Sequence, residues 1–415
     1  MIENSIPRDQ ANFWSHLCRK ILFQALSKVS DGGLRILEEG TETYFGQNRS
    51  QSTLTATIQI RNPRAYAQIL LGGSIGAGEA YMSEDWDSPD LASVVRLFVR
   101  NREVLNQLDR GWSGLSSVVQ KSLHRLNKNS ITGSQKNIRA HYDLGNEFFE
   151  LFLDPTWMYS SAYFSDANRS LEEAQTEKID RICRRLRLDP SHHVLEIGTG
   201  WGGFALHAAK NYGCKITTTT ISKKQYDLAR ERVKNAGLSD RVEVLFQDYR
   251  KLEGTYDRLV SIEMIEAVGL EFLPTYFHQC SKLLKPDGEM LLQAITIRDQ
   301  FYEQAKKSVD FIQRYIFPGS GIPSVAAIAD AIKNNTDLRF GHLEDFGQDY
   351  ARTLHLWSQN LALNHAEVLK RGYSEEFYRM WQFYFGYCEG GFLENSIGVI
   401  QLQLLKPRGE TCKRS

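Results

Sequence analysis

From residue 170 to residue 297 the chain alternates short apolar runs with amphipathic stretches. Val194 to Ile197 is a near-continuous apolar run, the pattern of a strand buried on both faces. Further strands are predicted at 215–220, 242–247, 256–262 and 288–296, the last entered through the turn Pro286-Asp287-Gly288. Helices fall between them. Ser170 with Glu173 forms a capping box that starts a helix running to about Leu186. The apolar stretch His207 to Tyr212 is the far part of another. This order predicts an α/β fold with a parallel sheet and helices on both faces. Residues 300–390 are helical and aromatic and interrupt the alternation, before a final strand at Ile397 to Leu405. They are expected to be an insertion that builds a substrate pocket over the carboxyl edge of the sheet, where ligands bind in such folds.

Residues 1–120 are expected to form a small separate α+β domain. Trp14 to Leu26 has helical periodicity and Thr53 to Ile60 alternates as a strand. Gly72 to Gly76 is expected as a loop, and Pro89 to Val99 as a helix with the proline in its first turn. Arg110 to Arg139 is basic and contains Ser, Asn and Gly. The part at 121–137 suits a solvated linker, and its charge equally suits anionic lipid head groups. Residues 138–415 make up the remaining domain. Its opening at 138–165 is dense in aromatics, either a packed pair of helices or a cover over a ligand.

Composition narrows the classes. Lys+Arg 50 against Asp+Glu 50 gives no electrostatic case for a nucleic-acid partner. No apolar run approaches the about 18 residues that a membrane span requires. The start Met1-Ile2-Glu3-Asn4-Ser5 lacks the basic-then-apolar order of a secretory leader. The 6 cysteines are scattered, with no C-x-x-C pair and no His–Cys cluster at metal spacing. A reduced, cytoplasmic protein without a metal is the expectation.

The turn after Ile197 carries the first chemical signal. Gly198, Gly200 and Gly203 fit G-x-G-x-x-G, but a dinucleotide site also needs an acid at the end of the second strand. That end reads Thr217-Thr218-Thr219-Thr220. Glu196 with Gly198, Gly200 and Gly202 instead resembles motif I of class I methyltransferases, which bind S-adenosylmethionine in a Rossmann-like fold. Glycines there let an amino-acid tail and a sulfonium lie against bare backbone.

Several separated segments, spanning about residues 78 to 405, together resemble one family: the cyclopropane-fatty-acyl-phospholipid synthases, including mycolic acid cyclopropane synthases. They are Arg139-Ala140-His141-Tyr142-Asp143, Tyr159-Ser160-Ser161-Ala162-Tyr163, the turn Val194 to Gly203, and Thr220-Ile221-Ser222-Lys223-Lys224-Gln225. Gln247-Asp248-Tyr249-Arg250, Met264 to Gly269, Tyr315 to Gly319 and Phe346 to Tyr350 continue the series. The resemblance implies methyl transfer from S-adenosylmethionine to a cis double bond of an acyl chain, with ring closure on loss of a proton to a bound bicarbonate. It implies unsaturated phospholipid acyl chains as partners and peripheral contact with a membrane surface; the oligomeric state stays open, with a homodimer as one option.

By resemblance, Gly198, Gly200, Gly202, Tyr159 and Ser160 would touch the cofactor. Thr220, Ser222 and Gln225 would stand in for the missing acid near the ribose. Ser222 and Gln225 also read as a capping box, S-x-x-Q, and the two roles are compatible. Asp248 and Tyr249 match the adenine-side loop, although Asp248 also suits a plain turn. Glu266, Tyr350 and the backbone of Ile295 match the residues that hold bicarbonate. From the residues alone, Glu266 could be a helix N-terminal acid and Tyr350 a packed aromatic. Ser161 and Gln293 depart from the Cys and His that many members carry. Gln can donate a hydrogen bond but does not titrate near neutrality as His does, so a methyl- or methylene-branched product is an alternative to a ring. A furan-precursor acyl chain is a further product of the same class. Cys388 matches a cysteine once proposed as active, and equally reads as a small packed side chain. Two other classes stay open at this point: a lipid-binding protein without catalysis, and a methyltransferase with a soluble acceptor.

Overall fold

The computed structural model describes residues 8–47, 53–104 and 145–408. The segment 121–137 and the motif Arg139 to Asp143 lie outside the described residues. The chain forms two compact units: Met1–Leu123 with Ser308–Ile316 and Leu361–Ser396, and His124–Lys307 with Phe317–Asn360 and Ile397–Ser415.

The first unit holds a four-stranded sheet in the order β2-β1-β3-β4, with β1 at Gly33–Glu38, β2 at Thr41–Gly46, β3 at Thr55–Ile60 and β4 at Trp86–Asp87. The opening segment of this unit ends at Leu123, near the expected boundary at 120, and two later segments join it. Helix Glu375–Leu393 sets Phe383 against Tyr81 and Phe311, at ring-centroid distances of 5.7 and 4.6 Å. Arg379 donates to the carbonyls of Tyr81 and Trp86, at 2.6 and 3.0 Å. Residues 300–390 are therefore not one insertion. Their stretch 317–360 stays with the large sheet.

The expected loop at Gly72 to Gly76 is instead the kinked middle of a helix, Arg64–Met82. Gly73 alone leaves the helical region, at φ 57 and ψ −137. Apolar residues on both arms are buried, so packing overrides the poor helix propensity of glycine. Pro89 lies outside its helix rather than in the first turn. Asp90 is the cap of Leu91–Arg100, and its Oδ1 accepts from Ser93 N at 3.0 Å.

The second unit is built on a seven-stranded sheet ordered β10-β11-β9-β8-β5-β6-β7. The strands β5 (His193–Ile197), β6 (Lys215–Thr220), β7 (Val242–Phe246), β8 (Tyr256–Ile262) and β9 (Leu284–Ile297) run parallel. β11 (Ile397–Leu405) is antiparallel to β9, and β10 (Arg339–Asp345) is antiparallel to β11. Successive residues of each strand enter opposite layers. Leu195, Leu259 and Leu292 pack with helices Leu273–Leu283 and Val325–Asn335. Val194, Val260 and Leu291 pack with helices Leu171–Arg185 and Gly203–Tyr212. The capping box at Ser170 and Glu173 is present. Of this sheet, β10 alone was absent from the sequence reading: as an edge strand it is exposed along nearly its whole length and lacks the apolar alternation that marks a strand.

Gly76 tests the kinked helix. A Cβ there would stand 2.0 Å from the backbone oxygen of Gln68. Gly76→Ala should therefore destabilise the protein by about 1–3 kcal/mol, the usual effect of overpacking, read by urea denaturation. A variant as stable as the parent would refute the close approach.

Candidate active site

β5 ends in a turn whose glycines hold positive φ: Gly198 at 101, Gly200 at 52 and Gly202 at 86. Side chains avoid these values, so the turn needs glycine. A Cβ on Gly200 would meet nothing within 4 Å, leaving bare backbone beside open space. That is the surface an amino-acid tail requires. Glu196 is buried beneath the turn, where its Oε2 accepts from Thr218 Oγ1 at 2.6 Å. Burial pushes this carboxyl up to about 8, although Thr218 and Lys178 oppose the shift.

At the end of β6, Thr220 Oγ1 donates to Gln225 Oε1 at 2.9 Å and accepts from Ser222 N at 3.1 Å. Ser222 caps the next helix through Gln225 N. The cap is thus present, but Gln225 turns its side chain to Thr220 rather than back to the cap. Asp248 behaves as the turn reading expects: its Oδ1 accepts from Arg250 N at 3.0 Å and its Oδ2 pairs with the Arg250 guanidinium at 2.6 Å. Tyr249 stacks edge-on to Tyr276, with ring centroids 5.5 Å apart.

The carboxyl edge of β8 and β9 carries the densest polar cluster, and its centre is Glu263, which the motif reading missed. Glu263 follows β8 directly and holds φ 48. Its Oε1 accepts from Ser161 N at 2.9 Å and from Gln293 Nε2 at 2.8 Å. Its Oε2 accepts from Tyr350 OH at 2.6 Å. Tyr350, expected beside Glu266, therefore bonds to Glu263. Glu266 lies in the short turn Ile265–Ala267, and its Oε1 accepts from Ile295 N at 2.5 Å. Its Oε2 is buried with no hydrogen-bond partner among the described residues. Burial pushes Glu266 up to about 8, and the neighbouring Glu263 adds to the rise. Burial also raises Glu263, but Tyr350, Gln293, Lys178 and Ser161 counter it. Three donors to Glu263 against one to Glu266 favour the charge on Glu263 and the proton on Glu266. The sequence signal for Glu263 was available: an acid directly after an apolar parallel strand sits at the ligand edge of such a sheet.

Lys178 supplies the balancing charge. It is fully buried and donates to Ser160 Oγ at 2.7 Å. Burial pulls its ammonium down to about 8, against the opposing pull of Glu263, Asp154 and Glu196. Ser160, expected at the cofactor, is held by this lysine. Ser161 offers its N–H to Glu263 and its own hydroxyl to Ala162 O at 2.9 Å. Helix Gly347–Leu363 fixes the rest of the strap: Ala162 N donates to Thr353 at 3.1 Å and Phe164 N to Asp349 at 3.2 Å. Tyr159 sits in an aromatic nest, with ring centroids 5.3 Å from Phe149, 5.3 Å from Trp357 and 6.2 Å from Phe317.

Cys388 belongs to the first unit, on helix Glu375–Leu393. Burial pushes its thiol well above the ordinary range, and Asp310 adds to this. Such a thiol stays protonated and is a poor nucleophile. A groove of about 780 Å³ lined by Tyr226, Arg230, Lys234, Val242 and Glu243 shares no residue with the carboxylate cluster.

A parallel sheet with an antiparallel last hairpin and a glycine turn after the first strand of the α/β unit define a class I S-adenosylmethionine-dependent methyltransferase. The family profile described as mycolic acid cyclopropane synthetase matches residues 129–402, and the chain belongs to that family. Tuberculostearic acid methyltransferase UfaA1 of Mycobacterium tuberculosis is 36% identical over 379 residues, covering 89% of this chain and 87% of that protein. Cyclopropane-fatty-acyl-phospholipid synthase of Escherichia coli K12 is 36% identical over 351 residues, covering 84% and 87%. The solved structure of mycolic acid cyclopropane synthase CmaA1, complexed with SAH and CTAB, is 33% identical with a TM-score of 0.62, covering 66% of this chain and 98% of that one. Among the described residues no helix is long and apolar enough to cross a membrane.

The raised carboxyls make stability fall with pH. A group held neutral in the fold contributes fully below its ordinary value of 4.5, and that contribution is lost as pH rises through about 8. The thermal midpoint should therefore decline from about pH 5 to about pH 9. Glu266→Gln, which cannot ionise, should decline less steeply. Parallel curves for the two proteins would refute the buried neutral acid.

Proposed function

We propose that this enzyme transfers the methyl carbon of S-adenosylmethionine to the cis double bond of an unsaturated acyl chain in a phospholipid, giving a cyclopropane. The observation that carries this reading is the meeting, at one edge of the sheet, of the glycine turn, the aromatic nest and the buried pair Glu263 and Glu266. Relatives named for fatty-acyl and mycolic-acid cyclopropanation support the acyl substrate.

S-adenosylmethionine supplies an electrophilic methyl group on a sulfonium. The backbone of Gly198, Gly200 and Gly202 would take its methionine part, Thr220, Ser222 and Gln225 its ribose, and Asp248 and Tyr249 its adenine. Tyr159, Phe317 and Trp357 would exclude water, and aromatic faces stabilise the positive charge that passes from sulfur to the acyl chain. Glu263 would supply the negative side of that field and a place for the released proton, with the neutral Glu266 beside it. A lowered, charged Cys388 is not required, since methyl transfer to an alkene forms no covalent link to the protein.

A second reading has specific support. The neutral Gln293 and the tuberculostearic acid methyltransferase relative favour a methyl- or methylene-branched chain in place of the ring. The enzyme works at a membrane surface in either case, peripherally.

Purified protein, labelled S-adenosylmethionine and vesicles of monounsaturated phospholipid test these readings. Ring and methylene branch both add one CH2, so upfield cyclopropyl proton signals are the deciding measurement. Glu266→Gln should lower turnover, and by less than loss of the Glu263 carboxylate does, with cofactor affinity nearly intact. Equal loss of cofactor binding would count against its role at the acyl chain, and transfer to soluble acceptors without vesicles would count against the lipid substrate.

A further inference from the structure

We infer that Glu263 is a built-in anion: its carboxylate takes the place that the family resemblance gives to bicarbonate, and it receives the proton released in the reaction. The second half of this inference rests on the acyl-transfer reading above. The first half rests on geometry alone.

The groups that the resemblance assigns to bicarbonate are Glu266, Tyr350 and the backbone of Ile295, and Ser161 and Gln293 are the two positions that depart from the family pattern. In this structure Ser161 N, Gln293 Nε2 and Tyr350 OH all donate to Glu263, at 2.9, 2.8 and 2.6 Å. Ile295 N donates to Glu266. A free bicarbonate would find these donors occupied. It would also add a further negative charge beside two buried carboxyls, for which Lys178 is the neighbouring ammonium. A third acid without new donors is strongly unfavourable in a buried site. The residues present therefore do not fit bicarbonate, and they do fit the carboxylate already among them.

Backbone conformation points the same way. Glu263 holds φ 48, in the left-handed region. For a residue with a Cβ this conformation is unfavourable. Such strain persists where the surroundings fix it, and here the fixing groups are the donors to its carboxylate.

The reaction balances with this carboxylate as base. The alkene π pair forms the new C–C bond to the methyl carbon, and the S–C pair leaves with sulfur. The acyl cation then loses a proton to Glu263. An O–H bond forms, and the pair of the broken C–H bond closes the ring or makes a new double bond. Tyr350 and Gln293 remain as donors to the carboxyl. The proton leaves to water when product departs, restoring the carboxylate.

The test compares the parent protein with Glu263→Gly, which relieves the strained φ and opens a space the size of the missing carboxylate. Two readouts are taken in buffer purged of carbon dioxide and again with added bicarbonate: binding of 13C-labelled bicarbonate by NMR, and methyl transfer into monounsaturated phospholipid vesicles. The parent should bind no bicarbonate, and its turnover should change by less than about twofold. Glu263→Gly should bind bicarbonate, lose on the order of 10²-fold in rate without it, and regain about tenfold or more with it. Bicarbonate bound by the parent, a parent rate that depends on it, or a Glu263→Gly protein that binds S-adenosylhomocysteine normally yet is indifferent to bicarbonate would each overturn the inference. Glu263→Gln, which fills the same space without basicity, should be inactive and beyond rescue; rescue equal to that of the glycine variant would also overturn it. Should the parent transfer no methyl to any vesicle, the acyl-transfer reading fails, while the binding measurement still decides which anion the site holds.

Discussion

Two carboxyl groups, Glu263 and Glu266, are buried side by side at the carboxyl edge of the sheet, and much of the second unit exists to make that tolerable. Isolated, each ion would cost several kcal/mol to bury. The fold answers with donors from separate parts of the chain. The strap at 161–164 brings Ser161 N, β9 brings Gln293 and Ile295 N, and helix Gly347–Leu363 brings Tyr350. Lys178 adds a buried positive charge. The cluster thus fastens the aromatic strap to the sheet through the same bonds that relieve the acids. Removing any one donor would leave an unmet charge, which is why the arrangement is rigid rather than merely adhesive.

Glu196 repeats the solution one strand away. It lies under the glycine turn at the end of β5, the direct neighbour of β8, and Thr218 is its donor. The paired strands therefore end in acids. Burial holds Glu196 and Glu266 neutral, so the negative charge of this edge is that of Glu263, with Lys178 nearby. That suits a ligand whose reactive atom is a sulfonium, and a reaction whose charge remains positive as it moves onto a carbon chain. An anionic or neutral cofactor would gain nothing from it.

The sheet was legible because burial on both faces leaves a plain mark. The apolar runs of β5, β8 and β11 gave strands within a residue or two of their observed ends. What escaped was shaped by long-range packing. β10 is an exposed edge strand without alternation, and the helix Arg64–Met82 hides its continuity behind glycines. No local signal says that Phe383 will return to Tyr81, so the two-unit division was read too simply. The site was legible as a set of positions but not as a network. Tyr350 and Gln293 were found by resemblance and Glu266 with them, yet the residue that joins them is Glu263. A motif scan follows known positions, and Glu263 stands one residue before the motif Met264 to Gly269.

Gln293 explains how the network can work without a titratable group on β9. Gln401, its register partner on β11, donates Nε2 to Gln293 Oε1 at 3.1 Å. That bond commits the carbonyl end of Gln293 and turns its amide N–H groups toward Glu263 and Ser161 O. An amide so oriented can only donate to Glu263. It stabilises the ionised carboxylate over the protonated one, because a proton on the accepting oxygen would compete for the same lone pair. A histidine at this position could take or give a proton itself. A glutamine pinned by a second glutamine cannot, so proton traffic at the edge falls to the carboxyls. The substitution that looked like a loss in the sequence thereby becomes a constraint on charge: Gln401 fixes Gln293, Gln293 holds Glu263 ionised, and Glu263 in turn helps to keep Glu266 neutral.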